Sequence, residues 1–289
     1  MIHGFVIVRL GGRLGNQLFQ YATARAIALR TSQPLFLDFE HDSSRALLGL
    51  RIAPARRVGP ALALRAGLAP WPGRRRGSRY FCRLGTRRGT RWLKAEAFGR
   101  FDPRVLQEEG AVVLWGHWQS ERYFADIAPL LRREFQPREE IRPSVSLLIS
   151  HLQTTPSVGV QIRRGDYLDW MPVEDRPDDL FYVRAVNELA ERLGERPVVY
   201  GFSDDPAWLQ EGFRDLFPNG VPVSGVQTRN QYEDLAAFAA CQHQVVSPST
   251  FAWWGAWLNP NPGKLVVAPK RWVYDWAAPD VVPASWLCV

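Results

Sequence analysis

Two arginines stand side by side at Arg163 and Arg164, directly after the apolar run Val158 to Ile162. A guanidinium at the end of a strand has few inward partners, and its planar fork matches phosphate oxygens two at a time. The segment Gln161-Ile162-Arg163-Arg164-Gly165-Asp166-Tyr167 is therefore expected to bind an anion. Three other segments hold comparable positions. Gly11-Gly12-Arg13-Leu14-Gly15-Asn16-Gln17 reads either as a tight strand-to-helix turn with Asn16 as N-cap, or as backbone N–H groups and an amide facing an anion or a sugar hydroxyl. It matches neither G-x-G-x-x-G nor a Walker A loop. Phe202-Ser203-Asp204-Asp205 reads as a helix cap, and a carboxylate there also suits the adjacent donors of guanine. Ser247-Pro248-Ser249-Thr250-Phe251 offers hydroxyls and free N–H groups at a helix start, whereas Trp253, Trp254 and Trp257 read as core.

An arginine pair, a hydroxyl-rich helix start and several carboxylates suit a diphosphate leaving group. Its growing charge must be neutralised, and the chain has no D-x-D triplet that would hold a divalent ion for that purpose. Arginines and helix N-termini are then expected to do so. The five histidines lie 34 or more residues apart, and the three cysteines form no C-x-x-C pair. No metal and no resident cofactor are expected.

These segments need elements to position them. Phe5 to Leu10 reads as a strand, Asn16 to Thr31 as a helix and Leu35 to Phe39 as a strand, together a βαβ unit. Val112 to Trp115 is a short strand, and Ser120 opens a helix running to about Phe135. Pro137 and Pro143 flank a charged linker, which puts a boundary near residue 140: an N-terminal lobe over 1–140 and a C-terminal lobe over 141–289. Beyond it, Val158 to Ile162, Pro197 to Phe202, Val221 to Val223, Gln244 to Ser247 and Leu265 to Ala268 read as strands. Helices at Asp179 to Leu193, after Pro206, at Gln231 to Cys241 and at Phe251 to Leu258 alternate with them. Repeated βα units predict an α/β protein with two Rossmann-like lobes, parallel sheets facing a cleft, and ligands at the carboxyl ends of the strands.

The 289 residues are 46% hydrophobic and 22% charged, which excludes a disordered chain. No run of 18 apolar residues predicts a transmembrane helix. MIHGFVIVRLGG has no basic n-region or A-x-A site, so a cytoplasmic location is expected. The net charge of +7 is uneven. Of 36 basic residues twelve are arginines between Arg51 and Arg91, where no acid occurs, leaving 24 against 29 acidic residues elsewhere. This segment reads as a solvated basic insertion. Arg74 to Arg76 would suit acidic headgroups, with Leu62, Leu64, Leu68, Trp71 and Phe81 as apolar groups able to dip into an interface. A nucleic-acid-binding protein is the competing class. The segment lacks regular aromatic interleaving and the remainder is acidic, so no nucleic acid is expected.

The runs GGRLGNQLFQYA (Gly11 to Ala22), GHWQSERYF (Gly116 to Phe124), QIRRGDY (Gln161 to Tyr167), FSDD (Phe202 to Asp205) and SPSTFAWWGAWL (Ser247 to Leu258) resemble, in order and spacing, the motifs of the α-1,2-fucosyltransferases, glycosyltransferase family 11. The resemblance implies a GT-B fold, GDP-β-L-fucose as donor, and inverting, metal-independent transfer to a 2-hydroxyl, usually of galactose. The implied setting is surface polysaccharide synthesis, with a galactose-containing and lipid-linked oligosaccharide among the acceptors, at the inner membrane face. It places Arg163 and Arg164 against the donor diphosphate, with Ser249, Thr250 and the Phe251 backbone opposite, and Asp204 or Asp205 towards guanosine. Gly15, Gln17, Asp38, His117, Trp118 and Gln119 fall on the acceptor side, and Asn16 is implied as a catalytic residue pointing into the cleft near the fucose or the acceptor. Gln161 stands where the family usually has His; it can still hydrogen-bond the nucleotide but cannot carry a proton near pH 7. Asp38, Asp166, Asp169 and Glu174 are candidate general bases by position. The same scaffold with another donor or linkage is the alternative.

Overall fold

The computed structural model describes residues 4–39, 44–53, 56–70, 80–83, 89–95, 99–170, 176–272 and 278–289. The chain forms two compact units, Met1–Gln136 with Ala277–Val281, and Pro137–Trp276 with Val282–Val289.

The first unit is built on β1 (Phe5–Leu10), buried along its whole length as a central parallel strand of apolar residues should be. It continues through α1 (Leu14–Arg30), β2 (Leu35–Phe39), β3 (Arg56–Arg57), α2 (Pro60–Arg65), the strands β4 (Leu68–Pro70) and β5 (Tyr80–Arg83), then β6 (Thr90–Lys94), β7 (Ala111–Trp115) and α3 (Ala128–Glu134). Among the described residues the sheet order is β3-β2-β1-β7-β6, parallel throughout, with β4 and β5 a separate antiparallel pair.

Three expectations are corrected here. Asn16 is not the N-cap of α1: Arg13 holds that place without a side-chain cap bond, because Gly12, at φ +71°, turns the chain early and starts the helix at Leu14. The span from Ser120 to Phe135 is not one helix. Ser120 does accept the Arg122 N–H, but two 3₁₀ turns, Glu121–Tyr123 and Ala125–Ile127, follow. α3 begins only where Pro129 can sit in a first turn, the place where a helix tolerates a missing N–H. Lastly, the basic segment is in part a component of the sheet. Ala63, Ala66 and Leu68 pack with Phe5, Ile7, Phe36, Ala111 and Val113, with Leu62 and Trp92 against them. Leu68 is therefore a core residue and half-buried Leu62 packs against the core; Leu64 is exposed. Trp71, Arg74, Arg76 and the side chain of Phe81 lie outside the described residues.

The second unit runs α4 (Pro143–Thr154), β8 (Ser157–Ile162), α5 (Tyr167–Trp170), α6 (Asp179–Leu193), β9 (Val198–Ser203), α7 (Pro206–Leu216), β10 (Val221–Pro222), α8 (Gln231–Ala240), β11 (His243–Val246), α9 (Thr250–Leu258), β12 (Val266–Ala268) and β13 (Leu287–Cys288). Among the described residues its sheet order is β10-β9-β8-β11-β12-β13, again parallel. Its helices carry their own punctuation. Asp178 accepts the Phe181 N–H to start α6, which Gly194 ends at φ +71°; Asn230 accepts from Tyr232 and Glu233 to start α8. Trp253, Trp254 and Trp257 are buried. Gly255 between them is required by the close approach of α8, since a Cβ there would lie 2.3 Å from the Phe238 ring.

Candidate functional site

In the second unit the loops after β9, β8 and β11 lie side by side, because those strands are neighbours: Ile162 pairs with Ser203 and Gln161 with Val246. Gln161, Arg163, Arg164, Asp166, Asp204, Asp205, Ser249, Thr250 and Phe251 are thereby gathered at one carboxyl edge. The arginine loop is held by carboxylates. Arg163 NH1 lies 2.9 Å from Asp204 Oδ2, and its NH2 pairs with Asp166. Asp204 Oδ1 accepts the Arg164 backbone N–H at 2.9 Å. Gly165 makes room for this carboxylate: a Cβ there would stand 2.1 Å from Asp204 Oδ2. Both Asp204 oxygens thus serve the arginine loop. Asp205 caps α7 through the Trp208 N–H at 3.1 Å.

Two further bonds tie this loop to its neighbour. The Tyr167 hydroxyl donates to the Pro248 carbonyl, and the Ser247 hydroxyl donates to Gln161 Oε1. Gln161 is buried, which leaves its side chain an amide fixed at the strand end. Ser249 sits at the N-cap of α9 without capping it by its side chain, so its hydroxyl is not taken by the helix. Asp234 lies deeper, accepting from the Ser224 and Thr228 hydroxyls, and burial raises its pKa above the usual carboxylate range.

In the first unit the loops after β1 and β7 are neighbours in the same way. Gln20 spans both: its Oε1 accepts the Gly11 N–H and its Nε2 donates to the Gly116 carbonyl, each at 3.0 Å. Gln119 Nε2 donates to Asn16 Oδ1 at 3.1 Å, with Gln119 itself buried. Trp118, buried against Tyr123, has φ +56°, a left-handed conformation that costs a bulky residue on the order of 1–3 kcal/mol. His117 beside it is exposed. Gln17 is engaged within the unit, donating to the Gly12 and Ser44 carbonyls and accepting from the Leu47 N–H. Gly15 lies in the first turn of α1. Asp38, at the end of β2, pairs with Arg9 at 3.1 Å across the strand register.

Each unit therefore collects its share of the expected residues at a sheet's carboxyl edge. Of the candidate bases, Asp38 and Asp166 are ion-paired, Asp169 is exposed, and Glu174 lies outside the described residues. Gln20, Tyr167 and Trp208 were not singled out by sequence. Gln20 and Tyr167 stand inside motif runs and Trp208 three residues past one, but their partners lie 9 to 96 residues away, and such separations carry no spacing rule.

Comparison with known proteins fits this geometry. The profile of glycosyl transferase family 11 matches residues 110–278. The chain is 27% identical over 272 residues to an α-1,2-colitosyltransferase of Escherichia coli, covering 92% of each. It is 25% identical to galactoside α-(1,2)-fucosyltransferase 1 of Rattus norvegicus, covering 89% of this chain and 64% of that one. Among solved structures, the NodZ α-1,6-fucosyltransferase co-crystallised with GDP superposes with a TM-score of 0.53 at 17% identity, over 90% of this chain and 94% of that one. POFUT1 in complex with GDP-fucose gives 0.52 at 15%, over 92% and 99%. The fold is α/β and GT-B-like, and the chain belongs to glycosyl transferase family 11.

Proposed function

We propose that this glycosyltransferase moves L-fucose from GDP-β-L-fucose to the 2-hydroxyl of a galactose residue in a surface glycan, with inversion and without a metal ion. The observation that carries the reading is the adjacent pair Arg163 and Arg164, fastened at the carboxyl edge of β8 beside the hydroxyl-lined start of α9. The names of relatives support it, namely a colitosyltransferase, a glycosyltransferase of O-antigen biosynthesis and galactoside α-(1,2)-fucosyltransferases.

On this reading the C1–O bond of the donor breaks and its electron pair leaves with GDP. The acceptor oxygen bonds to C1 from the opposite face and releases its proton to a carboxylate or to water. Arg163 and Arg164 neutralise the departing diphosphate, with Ser249, Thr250 and the Phe251 N–H donating to it from the α9 start. Gln161, its Oε1 occupied by Ser247, presents its Nε2 to the nucleotide, and Asp205 lies towards guanosine. Asn16, Asp38, His117, Trp118 and Gln119 serve the acceptor. The described arginines Arg51, Arg56, Arg57 and Arg65 are exposed and suit contact with anionic lipid. Liposome flotation without preference for anionic lipid would remove that contact.

The test of the donor site is Arg163→Ala and Arg164→Ala. Each is expected to lower turnover by roughly 10²–10³, about 3–4 kcal/mol, by analogy with the loss of one preorganised donor. Near-normal turnover in both, with the circular dichroism spectrum intact, removes the reading. Donor hydrolysis with GDP-fucose, GDP-mannose and UDP-galactose settles the sugar and nucleotide, and linkage analysis of products from galactose-terminated acceptors settles the bond. Activity is expected to persist in EDTA. The colitosyl relative favours a second reading in which a sugar other than fucose is carried; the same panel, with the donor of that relative added, decides between them.

A further inference from the structure

Trp208 stands in the first turn of α7, three residues beyond the FSDD run that ends at Asp205. Its indole lies beneath the Arg164 guanidinium, whose carbon is 4.3 Å from the ring centroid. Among the described residues, no hydrogen bond from the arginine side chain fixes that guanidinium. Arg164 Nε is buried and makes no hydrogen bond among the described residues, and Asp205 Oδ2 lies 3.7 Å from it, beyond hydrogen-bond distance. A second feature of α7 points the same way. Gly212, one turn on, is a residue that weakens a helix interior. A Cβ at Gly212 would stand 2.3 Å from Trp208 Nε1 and 2.8 Å from its Cδ1. The glycine leaves room for the indole to come close against the helix, and in that pose the ring meets the arginine.

We propose that Trp208 is a positioning residue for the donor diphosphate: its indole, laid over Gly212, holds the Arg164 guanidinium at the pyrophosphate by stacking beneath it. The mechanism is a cation–π contact with a partly buried arginine, which fixes the plane of the fork and leaves its N–H groups for phosphate oxygens. Asp205 contributes from the side, since its other oxygen caps the helix that carries Trp208. The inference deepens the proposed function and rests on its assignment of Arg164 to the diphosphate.

The test is calorimetric titration of the full-length protein with GDP and, separately, with guanosine. Trp208→Leu removes the ring. Gly212→Ala keeps the ring but displaces it, while improving helix propensity, so a loss of function in this variant is not a loss of helix. Both are expected to weaken GDP binding about ten-fold, equivalent to about 1.4 kcal/mol, and to leave guanosine binding unchanged. Trp208→Phe, which keeps an aromatic face, is expected to restore most of the GDP affinity. Equal losses for guanosine and GDP would show a ring that stacks on the base and would overturn the inference. So would normal GDP affinity in Trp208→Leu and Gly212→Ala where Arg164→Ala has lost it. Normal GDP affinity in Arg164→Ala would instead remove the underlying assignment of the site.

Discussion

Asn16 and Gln119 meet through their amides, and the direction of the bond decides what Asn16 can offer. Gln119 Nε2 donates to Asn16 Oδ1, which leaves the Asn16 Nδ2–H groups to a substrate oxygen. That nitrogen lies over Gly12, where a Cβ would come within 2.7 Å of it. Gln119→Glu removes the donor and favours the reversed amide, with Asn16 Oδ1 turned outward. A hydrogen bond of this kind is worth about 1 kcal/mol, so turnover is expected to fall by roughly five- to ten-fold. GDP affinity is expected to be unchanged in both Gln119→Glu and Asn16→Ala, measured by titration alongside steady-state kinetics. A large loss of GDP affinity would move Asn16 to the donor side. The types and order of these residues were legible in the sequence, as were the two arginines. What holds them was not, because Asp204 lies forty residues from Arg164 and Gln119 lies 103 residues from Asn16. Such pairs are set by which strands become neighbours, and a linear reading has no access to that.

Elements with local signals were legible for a physical reason: a cap or a glycine acts on its own turn. Asp205 and Gly194 mark their helix ends in the sequence as they do in the structure. α2 and β6 were hidden in an arginine-rich stretch, because their apolar faces are only a few residues wide and the charges between them point to water. A short strand can also carry a titratable switch in stability, as His243 at the start of β11 does. Its Nδ1 accepts the Leu265 N–H at 3.0 Å, which requires a bare nitrogen and hence the neutral ring at that atom. Burial lowers its pKa from the ordinary 6.5, with the Glu195 charge opposing. The folded pKa is below the unfolded one, so the unfolded chain takes up the proton first. The contribution is full above pH 6.5 and is lost as the pH falls through that value towards the depressed pKa. Urea midpoints taken from about pH 7.5 to about pH 5.5 are expected to fall more steeply for the native chain than for His243→Gln. Gln keeps an acceptor for Leu265 and does not titrate. Parallel slopes would show that His243 is protonated without cost.

At the scale of the whole chain, the last residues change allegiance twice. The second unit includes residues up to Trp276, Ala277–Val281 belong to the first, and Val282–Val289 return to the second, where β13 pairs with β12. The middle piece is fixed to the first unit by a compact set of contacts. Asp280 N–H donates to the Gly99 carbonyl and the Phe101 N–H donates to Asp280 Oδ2, each at 2.9 Å. Arg122 NH1 lies 2.8 Å from Asp280 Oδ1, with its guanidinium 4.2 Å from the Phe101 ring centre. Arg122 is 57% exposed, so its ion pair adds little in water, and the charge-assisted bond from Phe101 is the larger share. Asp280→Ala is expected to destabilise the first unit by about 1–3 kcal/mol, whereas Asp280→Asn, which still accepts from Phe101, costs less. Gly99 is the stricter position. It has φ +62°, and a Cβ would stand 2.5 Å from Val281 Cγ2 and 2.6 Å from Ala278 Cβ, so Gly99→Ala strains the backbone and pushes the returning segment away. Amide hydrogen exchange separates these effects. Exchange at Phe101 and at Asp280 is expected to accelerate in Gly99→Ala and Asp280→Ala, while the amides of β8 and β11 in the second unit keep their rates. Unchanged protection at Phe101 in both variants would mean that the returning segment is held by other contacts.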